Sequence, residues 1–285
     1  MTNIDQFESV FKSASKPVFR QDPFSVASVL VVSDDDATRA AGYLDQLRSF
    51  LDHAPAIQAE YWNVLAGEDF SQVATLLEQV ERLKPDLICT YRNLHTPAAE
   101  HPYSLGTFVD VLLQTANAPV LLAPHPHEIR EIAKHNEPMS VMAITDHLAG
   151  DAHLVSVAAA MTNANGSLHL THVEDEAVFE RYIEVIGKIP SIDTDVARED
   201  ILEQLLKEPH DYISSCREAL NQTNPGLAVH EHVGLGHHLT DYKQLVSEFD
   251  VDLLVLNTKD EDQLAMHGLA YPLTIEMRNQ AMLLL

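Results

Sequence analysis

The chain has 285 residues, 46% of them hydrophobic, enough for one large or two ordinary packed domains, and this excludes disorder of the whole. Its 43 acidic and 18 basic residues leave a formal net charge of −25, which repels phosphate backbones and anionic membrane faces and excludes nucleic acid as a partner class. The two cysteines, Cys89 and Cys216, are far apart and exclude a disulfide framework, and no run approaches the ~18 apolar residues a membrane span needs.

The opening residues, MTNIDQFESVFKSASKPVF, scatter charges where a signal peptide needs an apolar core, so a reducing cytoplasm is the expected location. Short apolar runs rich in β-branched residues then predict strands over Ser28–Ser33, Asp86–Thr90, Pro119–Ala123 and Ser140–Thr145. Others follow over Ser167–Val173, Leu227–Val233, Val251–Asn257 and Ala281–Leu285, and Ala56–Leu65 is a weaker strand. Being apolar on both faces, such runs suit a parallel sheet covered on both sides. Apolar residues at helical spacing mark Ala37–Leu51, Phe70–Leu83, Thr107–Ala116, Ala152–Thr162, Glu199–Asn221 and Leu239–Phe249. Pro209 is expected to kink or split its helix, because proline removes a backbone donor. Strands alternating with helices predict an α/β, doubly wound, Rossmann-like architecture.

The chain also repeats itself. Each half opens on an apolar strand ending in an acid, VLVVSD to Asp34 and VMAITD to Asp146. Each later carries a second strand of one type, PDLICTY and VDLLVLN, then a glycine, Gly106 or Gly268, a helix and an apolar closing strand. The parse is two tandem domains, 1–126 and 138–285, joined by a proline- and histidine-rich linker at 127–137. The second contains an insertion at about 174–198, read either as a lid or partner-binding arm or as a solvated insertion.

Several of these pieces resemble the universal stress protein family: VLVVSDDD, KPDLICTY and SLGTFVDVLLQTANAPVLLAP in the first half, and SLHLTHVED, AVHEHVGLG and VDLLVLN in the second. The resemblance covers most of residues 27–285. It implies domains of the adenine nucleotide alpha hydrolase-like kind, pairing through their last strands, and ATP or AMP as the ligand class. By position, Asp34 and Asp146 match the family's first-strand Asp, Val173 its second-strand contact, and Gly106 and Thr107 the Gly-Ser/Thr that opens a phosphate-facing helix; Ser104 and Gly268 complete the set. Glycines matter there because they let backbone N–H groups approach phosphate oxygens. Here the segments before Gly106 and Gly268 contain no glycine, and the second carries Asp260, Glu261 and Asp262, which repel phosphate. The expectation is therefore a non-catalytic stress-response or signalling protein that binds an adenine nucleotide weakly in one domain. It works through an unknown protein partner, as an intramolecular pseudo-dimer or a homodimer.

Two alternatives are a weak ATP-hydrolysing or nucleotidyl-transferring enzyme and a histidine-rich metal-binding protein. For the second, His230, His232, His237 and His238 are the metal candidates, with His230 and His232 on one strand face. Asp35 and Asp36 read as helix-capping residues. Gly234-Leu235-Gly236 reads as the turn after a strand, and Cys89 as core.

Overall fold

The structure is a computed structural model, and residues 17–97, 103–126, 139–145, 148–258 and 268–285 are described here. The first half runs β1 (Val26–Val32), α1 (Ala37–Leu51), β2 (Ile57–Leu65), α2 (Val73–Leu83), β3 (Leu87–Thr90), α3 (Thr107–Thr115) and β4 (Val120–Leu122). The second runs β5 (Ser140–Ile144), α4 (Ala152–Met161), β6 (Ser167–Asp175), α5 (Glu176–Ile186), α6 (Thr194–Thr223), β7 (Ala228–Gly236), α7 (His238–Glu248), β8 (Leu253–Leu256), α8 (Ala270–Glu276) and β9 (Ala281–Leu284).

The strands form one nine-stranded sheet in the order β2-β1-β3-β4-β9-β8-β5-β6-β7. Every neighbouring pair is parallel except β4–β9, which is antiparallel with Leu121 opposite Leu283. The α/β, mainly parallel fold expected from the apolar runs is present. The first set, β2-β1-β3-β4, is matched in order by β6-β5-β8-β9, with β7 added outside. The closing strands PVLLA and AMLLL thus meet at the centre of the sheet. Their side chains, like those of β1, β3, β5 and β8, lie in one buried core running through both halves. Residues 17–24 cross the second half before entering β1: the Phe19 N–H donates to Ser215 Oγ at 3.1 Å, and the Phe19 ring meets Tyr212 edge-on at 6.4 Å.

Helix boundaries follow local chemistry. Asp36 caps α1, accepting from the N–H groups of Thr38 and Arg39, which satisfies donors the first turn leaves free. Lys84 ends α2 in the left-handed region immediately before Pro85, which cannot continue a helix. The weaker strand expected over Ala56–Leu65 is present as the nine-residue β2, whose alternating burial on the sheet edge diluted its apolar signal. Two expectations are corrected. Pro209 does not split its helix: α6 is continuous over 30 residues, with Pro209 and the following Tyr212, Ile213, Cys216 and Leu220 buried. Strand β7 runs through Gly236, so Gly234 and Gly236 end a strand and do not form the turn after it. Within the insertion, α5 and the first turns of α6 are helical. Among the described residues, no helix is long and apolar enough to cross a membrane.

Candidate functional site

In a parallel sheet the loops at the carboxyl ends of the strands gather on one edge, where open α/β sheets bind ligands. In the first half β1 delivers Ser33 and Asp34 to that edge, and β3 delivers Tyr91. The Tyr91 hydroxyl lies 2.9 Å from Ser33 Oγ, accepts the Asp34 N–H at 3.1 Å, and donates to Asp34 Oδ1. The second carboxylate oxygen, Oδ2, accepts the backbone N–H of His95 at 2.7 Å. Burial, and then its hydrogen bond to the Asp34 carboxylate, hold the Tyr91 phenol well above its ordinary range, so it remains a donor.

The chain from 91 to 97 turns tightly to present that N–H. Asn93 and His95 both adopt left-handed backbone, at φ 59° and 57°, an uncommon state for residues with a side chain. The His95 ring is held between Phe70 and Phe108, with centroids 4.8 and 5.1 Å away. Asn93 in turn donates its N–H to Leu105 O at 2.7 Å. Gly106 sits beside it at φ 88°, where an added Cβ would come 2.9 Å from Asn93 Cα. Glycine is thus required by both dihedral and space. Ser104 Oγ accepts the Gly106 N–H at 3.0 Å, Gly106 caps α3, and Thr107 is the exposed first residue of that helix. The structure therefore links Asp34, Ser104, Gly106 and Thr107 through the 91–97 loop. A further glycine, Gly67, lies against the same edge: its N–H donates to Asp35 O at 2.8 Å, and a Cβ there would lie 2.3 Å from Asp34 O. Tyr91, His95 and Gly67 escaped the sequence-based reading, which looked for glycines before Gly106. The aromatic after the PDLICT strand was their visible signal.

In the second half, Asp146 and the segment 259–267 lie outside the described residues. Gly268, at φ 61°, precedes the seven-residue α8. Val173 is buried near the end of β6, and both of its backbone groups are engaged: its N–H with Tyr242 Oη at 3.3 Å, its carbonyl with His238 Nε2 at 2.7 Å. A carbonyl only accepts, so His238 carries its proton on Nε2. Asn257, the residue after β8, donates to Asp151 Oδ2 at 2.5 Å, while Asp151 Oδ1 caps α4.

The histidines divide. His230 and His232 share a face of β7, as their spacing requires, and His169 of β6 joins them. The His169 ring stacks on His230 and His232 at interplanar angles of 18° and 16°, and Phe249 packs against it at 4.8 Å. His169 Nδ1 and His232 Nε2 share a hydrogen bond of 2.9 Å. Burial, with His232 and then His230 adding to it, lowers His169 to about 4, and burial likewise lowers His232. His237 and His238 lie further along: the His237 N–H is capped by Asp241 at 2.9 Å, and its Nε2 stands 3.5 Å from Glu176. Among the described residues, no group of three or more His, Cys, Asp or Glu is placed to hold a metal ion. Both cysteines are buried; burial pushes Cys89 far up and Cys216 up to about 12, so neither offers a thiolate at neutral pH.

Two open clefts, of ≈ 420 and ≈ 490 Å³, lie at the opposite edge of the sheet. Leu77, Lys84 and Asn117 line the first, between the last turns of α2 and α3, and Lys243, Met277 and Arg278 line its counterpart between α7 and α8.

No protein-family model and no curated protein matches the chain. Among solved structures, a universal stress protein from Archaeoglobus fulgidus is similar at 13% identity and a TM-score of 0.48, over 92% of this chain and 98% of that one. A protein proposed to be a universal stress protein, from Pseudomonas aeruginosa UCBPP-PA14, has 14% identity and a TM-score of 0.44, over 91% and 93%. A functionally unknown protein from Pseudomonas aeruginosa PAO1 has 14% identity and a TM-score of 0.43, over 91% and 92%. Neither activity nor ligand carries across at such values.

Proposed function

We propose that the chain is a non-catalytic stress-response or signalling protein of the universal stress type, acting in the cytoplasm by binding, with at most a weak site for ATP or AMP in its first half. Two tandem domains near 1–126 and 138–285 belong to the same reading, supported by the repeated strand order on either side of β4–β9.

The observation that carries it is that groups expected to hold a nucleotide are held by the chain itself. The two carboxylate oxygens of Asp34 are taken by Tyr91 and by the His95 N–H, and the backbone of Val173 by Tyr242 and His238. A ligand donor reaching Asp34 competes with hydrogen bonds to a charged group, each worth about 1.5–3 kcal/mol, or roughly ten- to a hundredfold in affinity where one is displaced. What remains for an anion is the amino end of α3, a nine-residue helix opened by Gly106 and Thr107. The buried thiols at Cys89 and Cys216 are protonated and supply no nucleophile.

Thermal-shift titration with ATP and AMP, alongside an assay for phosphate release, tests this. Weak stabilisation that survives in Asp34→Ala, with no turnover, is the expected result. Measurable turnover abolished by Asp34→Ala would replace it with the enzymatic alternative.

A further inference from the structure

We infer that the stacked rings of His169, His230 and His232 form a proton-operated latch on β7. Neutral rings hold this outermost strand against β6, and acid releases the strand while the sheet from β2 to β6 stays folded. The latch lies wholly in the second half and is independent of nucleotide binding.

Among the described residues, β7 ends the sheet and pairs with β6 alone, over nine residues. None of those nine is buried, whereas all five residues of β5 and all four of β8 are. An edge strand with so little buried apolar surface opens at a lower free energy than the strands inside the sheet. On one face, imidazole lies between it and β6. His169 stands directly opposite His230 in the register, and His232 lies two residues further along the same face. The rings grade from solvent inward: His230 is exposed, His232 half-buried and His169 buried. Phe249, at the end of α7, covers the inner side, 4.8 Å from the His169 ring and 4.6 Å from that of His232.

This arrangement accepts neutral rings and resists added protons. In the 2.9 Å contact between His169 Nδ1 and His232 Nε2 one nitrogen donates and the other accepts, whereas two imidazolium rings would both donate. Like charges directly opposite one another also push paired strands apart. The surrounding charges do not offset this at the inner ring. Glu248 on α7 and Glu231 on β7 favour a charged His232, and Glu231 is shared with His210 and Arg217 of α6. The charges that act on His169 are those of His232 and His230. Lys243 of α7 is paired with Glu276 at 3.1 Å; in the turn after Phe249, Asp250 adopts left-handed backbone, and Asp252 accepts the Ser140 N–H at 2.8 Å. Lifting β7 lets water reach all three rings and breaks no pairing between β5 and β6. Strand β7 also leads into His237 and His238, so its release draws His238 from the Val173 carbonyl and bares the edge of β6.

Amide exchange of the full chain at pH 7 and pH 5, followed by mass spectrometry and corrected for intrinsic rates, reads the result. The open strand takes up the proton that the closed one refuses, so acid favours opening between the ordinary 6.5 of histidine and the value of about 4 at His169. Over that pH step the open population of β7 is expected to rise about ten- to twentyfold, and most of the rise to disappear in His169→Gln, whose amide cannot titrate. In the wild type alone, low urea is expected to leave β7 exchange nearly unchanged at pH 5 while speeding that of β5, because a local opening exposes little surface. Exchange of β7 and β5 at one rate and with one urea sensitivity, or a rise of full size in His169→Gln, overturns the inference.

Discussion

Lowering the pH destabilises the fold through the stacked histidines. His169 is 2% exposed, and its folded-state value of about 4 lies well below the 6.5 of an unfolded histidine. For a base depressed in this way, both states are neutral above pH 6.5 and the group does not affect stability. As the pH falls from 6.5 towards 4, the unfolded chain takes up the proton and the native chain does not, so stability is lost across that window. Each pH unit separating the two values corresponds to about 1.36 kcal/mol. Allowing for partial solvent screening, His169 removes about 1–2 kcal/mol between pH 7 and pH 5. His232 acts in the same direction, moderated by the Glu248 and Glu231 carboxylates, which draw its value back up. Urea denaturation of the wild type and His169→Gln at both pH values measures this. The wild type is expected to lose about 1–2 kcal/mol more than the variant on acidification. Equal losses in the two proteins would mean that His169 is not the source of the acid sensitivity, since a glutamine at that position cannot titrate.

Two substitutions test the geometry of the sheet and its loops. Gly106→Ala forces a side chain onto φ 88° and against Asn93, and thermal denaturation is expected to show a loss of about 1–3 kcal/mol. Leu121→Ala opens a cavity at the β4–β9 seam, where Leu121 is fully buried opposite Leu283. A loss of about 2–5 kcal/mol is expected, with tryptophan fluorescence of Trp62 in the first half and amide exchange at β8 in the second reporting one shared transition.

The central strands were legible because burial on both faces leaves uninterrupted apolar runs: SVLVVS became β1 and VDLLVLN became β8. Edge strand β2 was dimmer, since Gln58, Glu60 and Asn63 interrupt its apolar positions. Helix α5 was hidden for the opposite reason: apolar residues lie on two of its faces, so Val178 and Tyr182 outside blur the helical period of Phe179 and Ile183 inside. Pro209 misled because a rule about isolated backbone neglects the tertiary packing of Tyr212 through Leu220, which holds the helix in place. At the candidate site the repeat pointed to the strand end at Asp34 and to Gly106, which the structure places at one edge of the sheet. The groups that close it are a tyrosine hydroxyl 57 residues away and a backbone N–H presented by left-handed residues. No short motif records such contacts; they exist only once β1 and β3 lie side by side.

Whether the chain itself occupies the proposed nucleotide site is tested most directly by mass spectrometry of small molecules released from freshly purified protein, with wild type and Tyr91→Phe compared. The expected result is an empty wild type and a variant in which the freed Asp34 oxygen allows adenine nucleotide to be retained. Stoichiometric ATP or AMP released from the wild type would contradict self-occupation, because Asp34 would then serve a ligand while still bound by Tyr91 and His95.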